Sequence, residues 1–302
     1  MNVPSFIAYL NQRFPLVNMG LFAVLFLTVY SVAERTWPVT ASGTFGWHEG
    51  GPAFGFGMVA VISFFFRLRV FDEQKDYALD SINHPDRVLQ SGRVTLPQLQ
   101  RVAIAGACLE ITWSALMGLS TVVCWLLAVG YSLLMRYEFF ISDFLKKRLV
   151  LYAVTHMFIM PLIIWWVWSA YAPAYGAANA LYLLAALSLL GGFAFEIARK
   201  VHVPEAERDL IDSYSKSMGY QAAIVTVLLV LLISVLVQCY LLRTLNASLI
   251  PFILIGLLYL ATLAIYLLSL SRPREKTLKL AELLVSLSML VSYLSIILVV
   301  HF

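Results

Sequence analysis

Apolar runs, each close to the length of a bilayer crossing, restrict this chain more than any other feature. They fall near 16–33, 52–71, 99–117, 119–136, 149–168, 176–197, 220–241, 248–270 and 280–300. A helix needs about 20 predominantly apolar residues to cross a hydrocarbon core ~30 Å thick. Strands are no substitute, because open sheet edges leave backbone groups unsatisfied in lipid. With 61% hydrophobic and 13% charged residues, the chain also has too few charges to cover a soluble surface, where about 25% is usual. The sequence predicts an all-α polytopic membrane protein with nine transmembrane helices, forming a single membrane domain over 1–302. The stretch 99–136 is too long for one straight crossing and divides at Gly118 and Ser120.

Charge placement gives the expected orientation. Of 21 Lys and Arg, only Arg35 and Arg243 fall on connections assigned outside when the N-terminus is cytoplasmic. Positive charge concentrates on the inner side of membrane proteins, so the expected location is a cell inner membrane, N-terminus in and C-terminus out. The net charge of +4 reflects that topology, and no nucleic-acid partner is expected. Cys108, Cys124 and Cys239 lie inside apolar runs without metal-binding spacing and read as small buried hydrophobes. Trp37, Trp47, Trp165, Trp166 and Trp168 read as an interface belt. The N-terminus lacks the pattern of a cleaved signal peptide.

The inside connections are unequal. Segments 137–148 and 271–279 are short and basic, whereas 67–98 and 195–219 are long, polar and carry both signs of charge. Each long segment follows an outward-to-inward helix, so two polar caps are expected on the cytoplasmic face, four spans apart. In the first, Asp72, Asp76 and Asp80 are spaced four and four. If the second span continues as a helix, the three carboxylates share one face at one-turn intervals. Such a face is either a solvated helix end, with Glu73 and Lys75 as soluble decoration, or a place where Mg²⁺ bridges carboxylate and phosphate. Arg67 and Arg69 before it, and Arg87 and Arg93 after it, surround the carboxylates with forked donors suited to a metal diphosphate. His84-Pro85 and Ser91-Gly92 break the helix and let the segment fold back.

The second cap offers Glu196, then Arg199 and Lys200, then Glu205, Glu207, Asp209 and Asp212, with Tyr214, Ser215 and Lys216 following. Glu196 and Lys200 form an intrahelical ion pair in the simplest reading, or bind metal and phosphate respectively. Pro204 suggests a fresh helix start with Glu205 to Asp209 as its acidic first turns, and Asp209 and Asp212 share a face only if that helix forms.

This layout resembles the UbiA superfamily of intramembrane prenyltransferases, whose first motif reads N-x-x-x-D-x-x-x-D, followed by an arginine–proline pair and a glycine. Asp72, Asp76 and Asp80, continuing through Pro85, Arg87 and Gly92, are similar to it, and the second acidic motif would fall between Glu196 and Asp212. The chain departs from the pattern in four places. Asp72 stands where Asn is common, and Glu196 replaces an expected Asp. Lys200 replaces a second Asp, while Pro85 and Arg87 are not an adjacent Arg-Pro pair.

The resemblance implies helices around a lipid-open central cavity. It implies Mg²⁺ held by Asp72, Asp76, Asp80, Glu196, Asp209 and Asp212, and an isoprenoid diphosphate donor contacted by Arg87, Arg136, Lys200 and Lys216. A lipophilic acceptor, aromatic or lipid, would receive the prenyl group. Asp76, Asp80, Lys200 and Arg136 are the residues it assigns to catalysis. An intramembrane terpene cyclase would share all these residues, and a transporter or scaffold could share the fold. Glu110, inside a span, reads as a structural pair, a protonated acid or a substrate contact. His156 reads as a satisfied core histidine beside a kink at Pro161. Tyr131, Tyr137 and Tyr152 read as packing or cavity lining.

Overall fold

The computed structural model describes residues 2–37, 52–172, 179–207 and 212–302. Among these residues there is no strand, and the long helices coincide with the apolar runs. A short helix α1 (Val3–Arg13) precedes α2 (Leu16–Thr36), α3 (Pro52–Asn83), α4 (Leu96–Met117) and α5 (Leu119–Arg136). Helices α6 (Ser142–Lys146), α7 (Leu149–Met157), α8 (Ile159–Tyr171) and α9 (Asn179–Ala198) follow. The chain ends with α10 (Tyr214–Met218), α11 (Tyr220–Thr244), α12 (Leu249–Ser271) and α13 (Glu275–His301).

Counting α7 and α8 as one crossing, eight of the described helices are long and apolar enough to span a membrane. Helix α4, at 22 residues, is long enough but carries Gln98, Gln100, Arg101 and Glu110, which dilute its apolar content. Large apolar side chains stand outward along the spans, including Leu236 and Leu257 at 60% and 58% exposure. Water would penalise such a surface and lipid does not. The chain is an integral, polytopic membrane protein.

The expected division of 99–136 occurs at Gly118, whose φ of +126° suits a residue without Cβ. The expected kink in the fifth crossing lies at Phe158, between α7 and α8. Pro161 explains it: the missing N–H leaves the Met157 carbonyl without its helical donor, and the ring crowds that carbonyl.

The chain forms two compact units, Met1–Tyr137 with Trp166–Ala174, and Glu138–Trp165 with Tyr175–Phe302. In the first, α3 packs against α2, α4 and α5. Its core is aromatic: the Trp113 ring meets Trp166 edge-on at 5.5 Å, and Phe64 lies 5.5 Å from Trp166. Trp113 Nε1 donates to the Ala53 carbonyl at 3.0 Å, and Trp166 Nε1 to Ser114 Oγ at 2.9 Å. Trp166 and Trp168 are therefore buried packing residues, which corrects the interface-belt expectation for them; Trp165 is exposed, and Trp47 lies outside the described residues. Close approach of α3 and α4 depends on glycine. A Cβ on Gly57 would stand 2.6 Å from the Trp113 ring, and one on Gly106 would overlap Ser63 Oγ.

The second unit packs α11 against α9 and α12, and α13 against α12 and α9. Its core is aliphatic, with Ala194, Ile197, Ile224, Val227 and Ala281 fully buried. Polar side chains tie the spans internally: Gln238 Nε2 donates to Ser295 Oγ at 3.0 Å, and Ser292 Oγ donates to Gln238 Oε1 at 2.6 Å. Interhelical bonds of this kind in membrane proteins average about 0.6 kcal/mol each. Among the cysteines only Cys124 is buried; Cys108 is exposed and Cys239 intermediate.

Candidate functional site

Helix α3 is 32 residues long and runs unbroken through the acidic stretch to Asn83. A helix rises 1.5 Å per residue, so the final turns extend past what a crossing needs. The condition for a shared carboxylate face is met, and Asp72, Asp76 and Asp80 succeed one another at one-turn intervals. Their surroundings differ. Asp72 is half-exposed and pairs with Lys75 at 3.3 Å. Asp76 is exposed and forms neither hydrogen bond nor ion pair among the described residues. Asp80 accepts from Arg87 Nη1 at 2.7 Å and lies 3.4 Å from Arg13 Nη2.

Glu73 corrects its reading as soluble decoration. Its side chain is 1% exposed. Its Oε1 accepts from Arg13 Nε at 2.6 Å and from Arg69 Nη2 at 2.9 Å. One residue further round the helix than Asp72, it faces protein rather than solvent. Burial by itself would lower the Arg13 pKa, but the hydrogen bond and charge of Glu73 outweigh this and hold it above the ordinary arginine value.

Arg67 does not join the acidic face. It lies buried between α3, α4 and α5, with Nη2 2.7 Å from Glu110 Oε2 and Nη1 donating to Ser132 Oγ at 3.1 Å. Glu110 also accepts from Trp125 Nε1 at 2.9 Å. Of the three readings of Glu110, structural pairing matches this arrangement. Arg136, the last residue of α5, is half-buried, with its guanidinium 5.1 Å from the Phe71 ring and 5.4 Å from that of Tyr137. Facing no carboxylate among the described residues, it keeps its donors available to an anion near the start of the acidic face.

After α3, the chain folds back as the Pro and Gly residues suggest. Ser91 N donates to the Arg87 carbonyl at 2.8 Å, and Gly92 adopts a φ of +77°. The backbone N–H of Val88 donates to Gln12 Oε1 at 2.9 Å, bringing the end of α1 against this return. Arg93 is exposed.

In the second unit, Glu196 lies in the last turn of α9 and binds both neighbouring cations, Arg199 Nε at 2.6 Å and Lys200 Nζ at 2.9 Å. The ion-pair reading is what the geometry displays. Pro204 starts only a short 3-10 turn, Pro204–Ala206, rather than an acidic helix. Asp212 is exposed on non-helical backbone, and Asp209 lies outside the described residues. Ser213 Oγ donates to Glu207 at 2.7 Å and accepts from Lys216 N at 3.1 Å, which caps α10. The Lys216 ammonium stands 4.0 Å from Glu207. His202 Nδ1 lies 2.9 Å from Glu275 Oε1, linking this segment to the start of α13. Burial, reinforced by the charge of Glu196, raises the pKa of the Tyr214 phenol above its ordinary value.

Arg13 and Gln12 were not among the sequence candidates. The signal was modest: a lone arginine closing a short amphipathic segment before the first span. Their partners lie 60 or more positions away and declare themselves only once α1 is docked. His156 stacks on Tyr152 with ring centres 4.0 Å apart, and its Nδ1 lies 2.9 Å from the Tyr152 carbonyl, as a core histidine would.

Among the described residues no three His, Cys, Asp or Glu side chains converge to hold a metal ion unaided. That is compatible with Mg²⁺, which commonly takes one or two carboxylates and completes its shell with water and substrate phosphate. The exposed Asp76, flanked by Asp72 and Asp80, fits that donor set.

No protein-family model matches the sequence, and no curated protein matches it. Solved structures do. A structure of digeranylgeranylglyceryl phosphate synthase matches with TM-score 0.69 and 15% identity, covering 99% of both chains. A UbiA homolog from Aeropyrum pernix K1, in its apo form, matches with TM-score 0.63 and 13% identity over 89% of this chain and 95% of that one. A UbiA homolog from Archaeoglobus fulgidus bound to GPP and Mg²⁺ matches with TM-score 0.52 and 15% identity over 97% and 99%. The chain has the fold of these proteins.

Proposed function

We propose that this chain, built on the UbiA-type fold, is a distant member of the UbiA superfamily and transfers a prenyl group from an isoprenoid diphosphate to a lipophilic acceptor in a Mg²⁺-dependent reaction. The observation that carries the reading is the Asp72–Asp76–Asp80 face on the polar extension of α3, with Asp76 open and arginines gathered at Asp80. The solved relative bound to GPP and Mg²⁺ supports the ligand class.

Asp76 and Asp80, with Asp72, would hold the metal. When bound, Mg²⁺ supplies Lewis-acid stabilisation of the departing diphosphate. Arg136 and Arg87 present forked donors to phosphate oxygens, and that charge complementarity favours loss of diphosphate from the allylic carbon. The apolar spans exclude water, which would otherwise capture the developing allylic cation. In the second unit, Glu196 is already balanced by Arg199 and Lys200. We assign that cluster, with Lys216, to diphosphate charge rather than chiefly to metal.

Diphosphate release from isoprenoid diphosphates across a magnesium titration tests the reading, on protein shown by size-exclusion chromatography to be folded. Asp76→Asn keeps shape and removes charge. Loss of a directly metal-bound carboxylate is expected to lower turnover by more than ~100-fold, since ~1.4 kcal/mol is worth tenfold. Near-normal turnover and magnesium dependence in both Asp76→Asn and Asp80→Asn would remove this face from consideration.

A further inference from the structure

Helix α1 is short, precedes the first span, and contributes nothing to the acidic motif in sequence. Its last residues nevertheless reach that motif at several points. The Arg13 guanidinium bridges two carboxylates of α3: Nε to Glu73 Oε1 at 2.6 Å and Nη2 to Asp80 Oδ2 at 3.4 Å. Glu73 and Asp80 are seven residues apart, two turns of one helix, so a single rigid fork spans the interval that contains Asp76. Arg87, on the chain that follows α3, holds the same oxygen of Asp80 at 2.7 Å. The neighbouring Gln12 accepts the backbone N–H of Val88, tying α1 to the chain that carries Arg87.

The docking of α1 is independently secured. Tyr9 is fully buried, Phe14 is 3% exposed, and the Phe6, Tyr9 and Phe14 rings all pack edge-on against Phe66 of α3. Arg13 stands at the C-terminal end of α1, where its charge also suits the helix dipole. Aromatic packing thus fixes where α1 lies, and Arg13 converts that placement into a fixed position for one carboxylate.

We infer that Arg13 is a positioning residue of the metal–diphosphate site: bridging Glu73 and Asp80, it sets the Asp80 carboxylate relative to Asp76, which makes α1 part of the site. The inference rests on the function proposed above. It assigns Arg13 no contact with substrate. A metal that needs two carboxylates at a defined separation is sensitive to such support, because residues behind the ligands commonly change metal affinity by 10–100-fold.

The probe is geranyl diphosphate with its ester oxygen replaced by sulfur, whose binding to the full-length protein in nanodiscs is followed by calorimetry during a magnesium titration. Arg13→Met is expected to raise the half-saturating magnesium concentration at least ~10-fold. Arg13→Lys, a point charge able to serve one carboxylate but not to bridge both, is expected to fall between Met and the unsubstituted protein. Phe6→Leu removes one of the three rings on Phe66 and leaves Tyr9, Phe14 and the ion network to hold α1 in place; it is expected to lower the melting temperature and leave the magnesium midpoint in place. An unshifted midpoint in Arg13→Met overturns the inference. Should that variant fail to fold, an unshifted midpoint in Arg13→Lys does so. A shift of similar size in Phe6→Leu also overturns it, by showing that lowered stability alone moves the midpoint. If the unsubstituted protein shows no magnesium-dependent binding, the functional proposal and this inference fall together; an unshifted Arg13 variant sinks the inference alone.

Discussion

Replacing Glu110 strands a charge inside the first unit. Glu110 is fully buried and Arg67 is 5% exposed, and the carboxylate receives donors from Arg67, Trp125 and Ser63. In Glu110→Gln the side chain keeps its size and one carbonyl oxygen, but its NH₂ group must face donors. Arg67 keeps at most that one neutral acceptor, the Ser132 hydroxyl and the Phe64 ring, 4.4 Å from the guanidinium carbon, and loses its countercharge. Breaking a buried ion pair from one side costs about 3–5 kcal/mol, and even 3 kcal/mol shifts an unfolding equilibrium by more than ~100-fold. The converse is equally specific. Glu110→Leu combined with Arg67→Met removes both charges, so the double variant is expected to be more stable than either single one. Unfolding in detergent, followed by tryptophan fluorescence over an SDS titration, gives the four corners of the cycle. Magnesium dependence in folded Glu110→Gln is expected to match the unsubstituted protein, because the pair is separate from the acidic face. Single variants within ~0.5 kcal/mol of the parent, or a selective rise in the magnesium requirement, would refute the structural assignment.

Gly57→Ala introduces a Cβ 2.6 Å from the fully buried Trp113 ring, and overpacking of this kind typically costs about 1–3 kcal/mol; thermal melting reads it, and an unchanged melting temperature would contradict the close α3–α4 approach. Lys200→Met is expected to raise the KM for the isoprenoid diphosphate about tenfold, as loss of ~1.4 kcal/mol of charge–charge binding would, while leaving the magnesium midpoint in place, so a shifted midpoint would instead make the Glu196–Lys200 cluster a metal site. Single cysteines placed at Asn83 and at Ser217 are expected to be labelled from the cytoplasmic side of intact vesicles, and labelling from opposite sides would overturn the orientation read from the basic residues.

Helix existence and the acidic face were legible in the chain because their causes are local. Bilayer thickness sets the length of an apolar run, and helix pitch alone puts residues spaced by four on one side. Gly118 and Pro161 interrupt helices through their own backbone chemistry, so those breaks were readable too. Partner choice among charged side chains has no local cause. Arg67 and Arg69 are two residues apart and looked equivalent in sequence, yet helix rotation turns the first toward Glu110, 43 positions away, and the second toward Glu73. Spacing set Asp76 on the carboxylate face and left Glu73 as soluble decoration, yet docking of α1 buries Glu73 and leaves Asp76 exposed. Which carboxylates are neutralised and which stay open is decided by the faces that neighbouring helices cover, and only the tertiary structure contains that information.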